Sequence, residues 1–251
     1  MNKTVSCFCL IFIVAAAYAQ DARQIIVESQ NRSRSKSQYY EGTLEVIGSS
    51  NKVSVKRWNY ERTGSFGSSK AILRFTAPAE VKGVALLIVN HPDRASDQWM
   101  WTPAIERDRR IALQDRSTRF FGTDYSFEDL EERDVNQFDY KLVGDDTVDN
   151  EPCWKIESKP KESKASQYTL SMLWVRKDNY AGAQIENYNK EKMVRRIHYS
   201  DIEKVDGIWT SRTVEVFDSG RQSRTVMKLE KLQYNVSLKD GDFTLEALRR
   251  D

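Results

Sequence analysis

The stretch Tyr39-Tyr40-Glu41-Gly42-Thr43-Leu44-Glu45-Val46 decides the fold. Tyr40, Gly42, Leu44 and Val46 fall on one side of a strand, and Tyr39, Glu41, Thr43 and Glu45 on the other. A period of two sets one face against a core and leaves the other to water. The same rhythm returns at Val53 and Val55, and again at Ala71, Leu73 and Phe75, with turn residues at 48–51 and 63–69. These runs predict a meander of neighbouring strands.

Moving outward, Val84-Ala85-Leu86-Leu87-Ile88-Val89 is apolar throughout and too short for a confident helix, which predicts a strand covered on both faces. Residues 98–101, the turn Thr102-Pro103-Ala104 and residues 110–113 predict a hairpin. Further strands are expected over 138–143, 153–158, 168–175, 183–188, 194–202, 208–217 and 224–234. The turns between them are Gly144-Asp145-Asp146, Lys177-Asp178-Asn179, Asp206-Gly207 and Asp218-Ser219-Gly220. Ala22, Ile25, Ile26 and Ser29 recur at helical spacing behind Asp21 as a cap, predicting a helix over 21–34. Ser126 with Asp129 resembles a capping box for a short helix over 127–132, and residues 243–248 suit one closing helical turn. A sheet this large must curl, close or split. The expectation is a mainly β (α+β) chain: a strongly curved antiparallel half-barrel of about eleven strands, with short helices covering its concave face.

Lys3, the apolar run 8–17 and Ala17-Tyr18-Ala19 ahead of Gln20 have the grammar of an export signal cleaved after Ala19. The run is shorter than the ~20 residues a membrane span needs. Residues 20–251 read as one domain, since no Pro, Gly or Ser linker interrupts them. Cys7 and Cys9 fall within the signal and not where a lipid-anchored cysteine would stand, so Cys153 is left without an internal disulfide partner. The 39 Lys and Arg are interspersed with 37 Asp and Glu, which gives no field for nucleic acid.

Catalytic hardware is thin. His91 and His198 lack partners at triad or metal spacing, and Cys153 between Pro152 and Trp154 reads as a buried, inert thiol. Asp124, Glu128 and Asp129 could form an acid and base pair, or simply enrich a helix start in acids. No nucleotide or zinc-protease motif is present, and no catalytic residue, metal site or cofactor is expected. The aromatic supply is large, with six Trp, eleven Tyr and ten Phe, and Trp99 and Trp101 project from one strand face. Such rings can pack as an ordinary core or line a pocket on the concave side of a bent sheet. On the second reading the lining is Trp58, Phe75, Leu86, Ile88, Trp99, Trp101, Tyr168 and Trp174.

Two stretches carry a family resemblance: Pro103-Ala104-Ile105-Glu106-Arg107-Asp108-Arg109-Arg110-Ile111, and Arg119-Phe120-Phe121-Gly122-Thr123-Asp124-Tyr125-Ser126-Phe127-Glu128-Asp129-Leu130. With Arg74-Phe75-Thr76-Ala77-Pro78 and Lys82-Gly83 upstream, the chain resembles the outer-membrane lipoprotein-sorting proteins, in their LolA-like branch. The resemblance implies a half-barrel with a helical lid over an apolar interior that carries acyl chains across the periplasm. A periplasmic, monomeric carrier or binding protein for a lipid or lipoprotein acyl chain is therefore expected, with no covalent chemistry and no nucleic-acid partner. An inner-membrane transporter and an outer-membrane acceptor are the protein partners such a role implies. Arg109 and Arg110 would latch the lid to Asp124 by ion pairing, with Phe127 on the lid.

Two other classes stay open at this point. One is a periplasmic sensor or scaffold that contacts an envelope protein through turns such as 145–150 and 159–164; the other is a hydrolase using Asp124 or Asp129. Asn31-Arg32-Ser33 and Asn235-Val236-Ser237 match the glycosylation sequon and leave a eukaryotic secreted origin open.

Overall fold

The computed structural model describes residues 21–162 and 164–250; the export signal expected over 1–19 lies outside them. Helix α1 (Ala22–Ser33) starts where the Asp21 side chain accepts the Arg23 N–H at 3.2 Å, and it buries Ala22, Ile25 and Ile26. Six strands follow: β1 (Ser37–Ile47), β2 (Val53–Ser65), β3 (Ser68–Ala77), β4 (Ala85–Val89), β5 (Asp97–Thr102) and β6 (Arg107–Arg110). After a long connection come β7 (Phe138–Val148), β8 (Glu151–Pro160), β9 (Leu170–Arg176), β10 (Gly182–Asn189), β11 (Lys192–Val205), β12 (Ile208–Asp218) and β13 (Ser223–Tyr234). One helical turn, α2 (Leu245–Leu248), is capped by the Thr244 hydroxyl.

The thirteen strands form one antiparallel sheet in the order β6-β5-β4-β3-β2-β1-β13-β12-β11-β10-β9-β8-β7. Sequential strands pair with their neighbours, and β1 pairs with β13 from Gln38 opposite Tyr234 to Ile47 opposite Arg224. The two edge strands, β6 and β7, are thus consecutive in the chain. At the foot of β7, Gln137 Nε2 donates to the carbonyls of His91 and Arg94 in the β4–β5 loop, each at 3.2 Å. In a flat sheet about ten strand spacings of ~4.8 Å, or roughly 48 Å, would separate these places. The sheet is therefore strongly curved, an open half-barrel whose edges approach each other.

Alternation builds the two faces as the sequence implied. Leu86 and Ile88 of β4 enter the inner core, while Ala85 and Leu87 pack outward beneath Phe243, Ala247 and Leu248. The continuous apolar run is covered on both sides for this reason, and α2 lies on the convex face. Helix α1 covers part of the concave face, against Ile156, Leu173 and Val175 of β8 and β9.

Much of the rest of the concave face is covered by an irregular strap, residues 111–137, that runs from one edge of the half-barrel to the other. Its centre is a tight loop in which Phe120 N–H donates to the Tyr125 carbonyl at 2.9 Å and Phe121 and Gly122 take positive φ. Phe120 stacks on Phe75 at 5.3 Å and meets Phe121 and Phe127 edge-on. The helix expected over 127–132 is a single 3-10 turn, Glu128–Leu130, although Ser126 and Asp129 do cap it reciprocally. The turn expected at Gly144-Asp145-Asp146 is a bulge within β7; the chain reverses at Asp149-Asn150, both at positive φ.

Candidate functional site

Two adjoining cavities lie between α1, the strap and the concave face. The larger has a volume of about 450 Å³, within the ~300–1,000 Å³ of small-molecule pockets. Ile26, Ser29 and Ser33 of α1 border it on one side, and Leu173, Val175, Ile185, Val214 and Leu229 supply its apolar strand surface. Tyr40, Tyr140, Tyr199 and Tyr234 also line it, and Trp209 stands at its rim, 37% exposed. Burial pushes Tyr140 and Tyr199 up to about 12, so both phenols stay neutral at physiological pH.

The smaller cavity, about 250 Å³, is polar and shares Arg133, Ile185 and Tyr199 with the first. Four carboxylates of the strap line it: Glu128, Asp129, Glu131 and Glu132. Each is engaged elsewhere. Glu131 pairs with Arg116 and Lys164, Glu132 with Arg62, and Asp129 with Arg195 and the Tyr168 hydroxyl. Glu128 accepts from the Ser166 hydroxyl and the Gln167 N–H, and burial raises its pKa. The acidic run is thus a row of anchors that ties the strap to β2, to β11, to the β8–β9 loop and to itself.

Of the eight residues expected to line a pocket, Trp174 borders the apolar cavity, and its indole Nε1 donates to Asp146 at 3.0 Å. Its ring packs with Cys153 and Ala183, while its neighbours Leu173 and Val175 pack with α1 on the inner face. Trp58, Phe75, Leu86 and Ile88 are inward but packed solidly in the core with the strap. Trp99 and Trp101 pack on the convex face near α2, and Tyr168 lines the polar cavity.

The expected latch is built differently. Asp124 is fully buried and accepts from the Ser223 and Thr225 hydroxyls, at 2.6 and 2.8 Å, and from Arg119. Arg109 lies on the exposed edge strand β6; Arg110, beside it, meets Asp97 at 2.5 Å. Phe127 is a core residue of the strap. Tyr140 and Arg133 were not singled out by sequence, although the parity of β9, with Leu173 and Val175 flanking Trp174, carries a signal for the inner face.

His91 and Arg94 join Arg110 around Asp97, and His198 lies 3.0 Å from Asp149. The Cys153 thiol donates to the Glu151 carbonyl at 3.4 Å, and burial raises its pKa. Among the described residues no three His, Cys, Asp or Glu side chains converge as metal ligands would. No described helix is long and apolar enough to cross a membrane.

Hydrogen bonding from Arg94, then from Arg110 and His91, outweighs desolvation and holds the Asp97 carboxyl well below the usual carboxylate range. A depressed folded-state pKa stabilises the fold above the unfolded value near ~3.9, and this is lost as pH falls through the folded value. Wild type should therefore exceed Asp97→Asn in Tm at about pH 5, and the margin should shrink as pH falls toward about 2. A margin independent of pH in thermal melts would contradict this assignment.

Fold and cavity together define a class: an open antiparallel half-barrel with an apolar chamber beneath an N-terminal helix. A family model described as an uncharacterized protein matches residues 67–250, well over half of the chain. The chain belongs to that family, and its fold is similar to that of solved lipoprotein-sorting and LolA superfamily structures. A domain from Vibrio parahaemolyticus assigned as an outer membrane lipoprotein-sorting protein superposes with a TM-score of 0.86 at 21% identity, covering 91% of this chain and 98% of that one. A DUF1329 family protein from Desulfovibrio piger gives 0.86 at 29% identity, over 90% and 97%. A LolA superfamily protein from Nitrosomonas europaea gives 0.71 at 18% identity, over 91% and 100%. A comparison with curated proteins gave no match.

Proposed function

We propose that this protein binds and carries a lipid or lipoprotein acyl chain in the periplasm, as a monomer and without covalent chemistry. The observation that supports this is the space of about 450 Å³ beside α1 that the chain's own side chains leave unfilled. Each methylene moved there from water contributes about 0.8 kcal/mol, so a chain of ~15 methylenes gains on the order of 12 kcal/mol gross. Ordering costs reduce that figure, yet it is ample to extract a lipid from water. On this reading residues 1–19 are removed on export, residues 20–251 act as one domain, and α1 serves as the lid. An inner-membrane exporter and an outer-membrane acceptor would load and unload it.

Protein recovered from a periplasmic fraction should carry an extractable acyl lipid by mass spectrometry, and its intact mass should lack residues 1–19. Met227 borders the cavity from β13. Met227→Trp should fill the space, lowering affinity for a fluorescent fatty acid at least tenfold while costing about 1–3 kcal/mol of stability from overpacking. Recovery without lipid, together with no fatty-acid uptake by wild type, would end this reading.

A further inference from the structure

Arg133 stands at the boundary of the two cavities and lines both. Its guanidinium donates to two buried hydroxyls, Ser158 at 3.1 Å and Ser171 at 3.4 Å, and lies 4.2 Å from the Phe138 ring. Among the described residues no carboxylate comes within ion-pair distance of it. The neighbouring acids are committed elsewhere: Asp129, Glu131 and Glu132 to other cations, Glu128 to Ser166 and Gln167, and Asp134 to the Asn136 N–H. A guanidinium cannot discharge itself, so a positive charge without a salt-bridge partner stands where the mainly apolar chamber meets the polar one.

Two neutral phenols lie close enough to feel that charge. Arg133 acts electrostatically on both Tyr140 and Tyr199, and all three line the apolar cavity. Beyond Arg133 the polar cavity is lined by the carboxylates of the strap, which offer an anionic head no hydrogen-bond donor.

From this arrangement we propose that the ligand is an amphiphile with an anionic head group, and that the head docks on Arg133 from the apolar side while its chain fills the cavity. The idea rests on the acyl-chain reading above and adds a direction and a head-group charge to it. Carboxylate and phosphate heads share the chemistry required, a small anion able to accept paired guanidinium hydrogen bonds.

Isothermal titration calorimetry of the full exported chain with laurate, dodecyl phosphate and dodecanol, all below micellar concentrations, tests this. Charge-assisted hydrogen bonding predicts that the anions bind roughly 10- to 100-fold tighter than the alcohol. The tighter of the two anions identifies the head group as carboxylate or phosphate. Arg133→Gln should abolish the preference of the anions over the alcohol, and Arg133→Lys should retain part of it. Equal binding of all three by wild type, or a preference that survives in Arg133→Gln, overturns the head-group site while the acyl-chain reading stands. Failure of all three to bind overturns both.

Discussion

Glu131→Ala is expected to lower the stability of the fold by about 3–5 kcal/mol, measured by urea denaturation. The Glu131 side chain is 4% exposed and holds Arg116 and Lys164, at 6% and 5%, against the strap. Gln98 of β5 donates to the same carboxylate at 3.1 Å. Removing it leaves two nearly buried cations without the carboxylate they share. The cost comes from the uncompensated charges left behind, more than from the loss of attraction itself. Glu131→Gln should be milder, because the amide still accepts one hydrogen bond. A loss below about 1 kcal/mol for the alanine variant would mean that the site behaves as a solvated surface pair.

Phe120→Ala should cost about 3–5 kcal/mol, the range for emptying a buried phenylalanine site. Phe120 is 1% exposed and sits between Phe75, Phe121 and Phe127, so the hole it leaves has rigid aromatic walls that cannot collapse into it. The residue is absent from the lining of the apolar cavity. Stability and ligand binding should therefore separate: at low temperature, where the variant remains folded, fatty-acid affinity should equal that of wild type. A weakened affinity in the folded variant would show that the strap shapes the chamber as well as sealing the core.

The strands were legible in the sequence because their physics is local. The alternation at Tyr40, Gly42, Leu44 and Val46, the unbroken run 84–89 and the Asp206-Gly207 turn all identify their elements without any distant contact. Which face of a strand is concave is a different matter. Period two shows that Trp99 and Trp101 share a face, and nothing local says whether that face is inside. The sheet turns them outward, with Met100 between them packed against the inner core. In β9 the same sign ambiguity puts Leu173 and Val175 inward, while the Trp174 ring goes to the Cys153 side.

The strap is the other part that sequence left obscure. Asp124, Glu128 and Asp129 read as the acids of a helix start near a capping box, and nothing local marked Asp129, Glu131 and Glu132 as anchors. Their partners Arg62, Arg116, Lys164 and Arg195 come from β2, the strap itself, the β8–β9 loop and β11. Three of those four pairings span more than 30 residues of chain, and no local pattern marks them. Arg133 was invisible for the same reason. A lone arginine in a mixed-charge stretch looks solvated until the fold shows what surrounds it.

The pairing of β1 with β13 has a kinetic consequence. Strands β1 to β6 and β7 to β13 can each zip up through short hairpins, but the two meanders merge only when Gln38 finds Tyr234 across nearly the whole polypeptide. Such long-range closure is slow, because the entropy of a very large loop is lost before the contacts that reward it form. Until that seam knits, two unpaired strands lie bare in what becomes the middle of the sheet, and a newly made chain is then most open to aggregation and to capture by a chaperone.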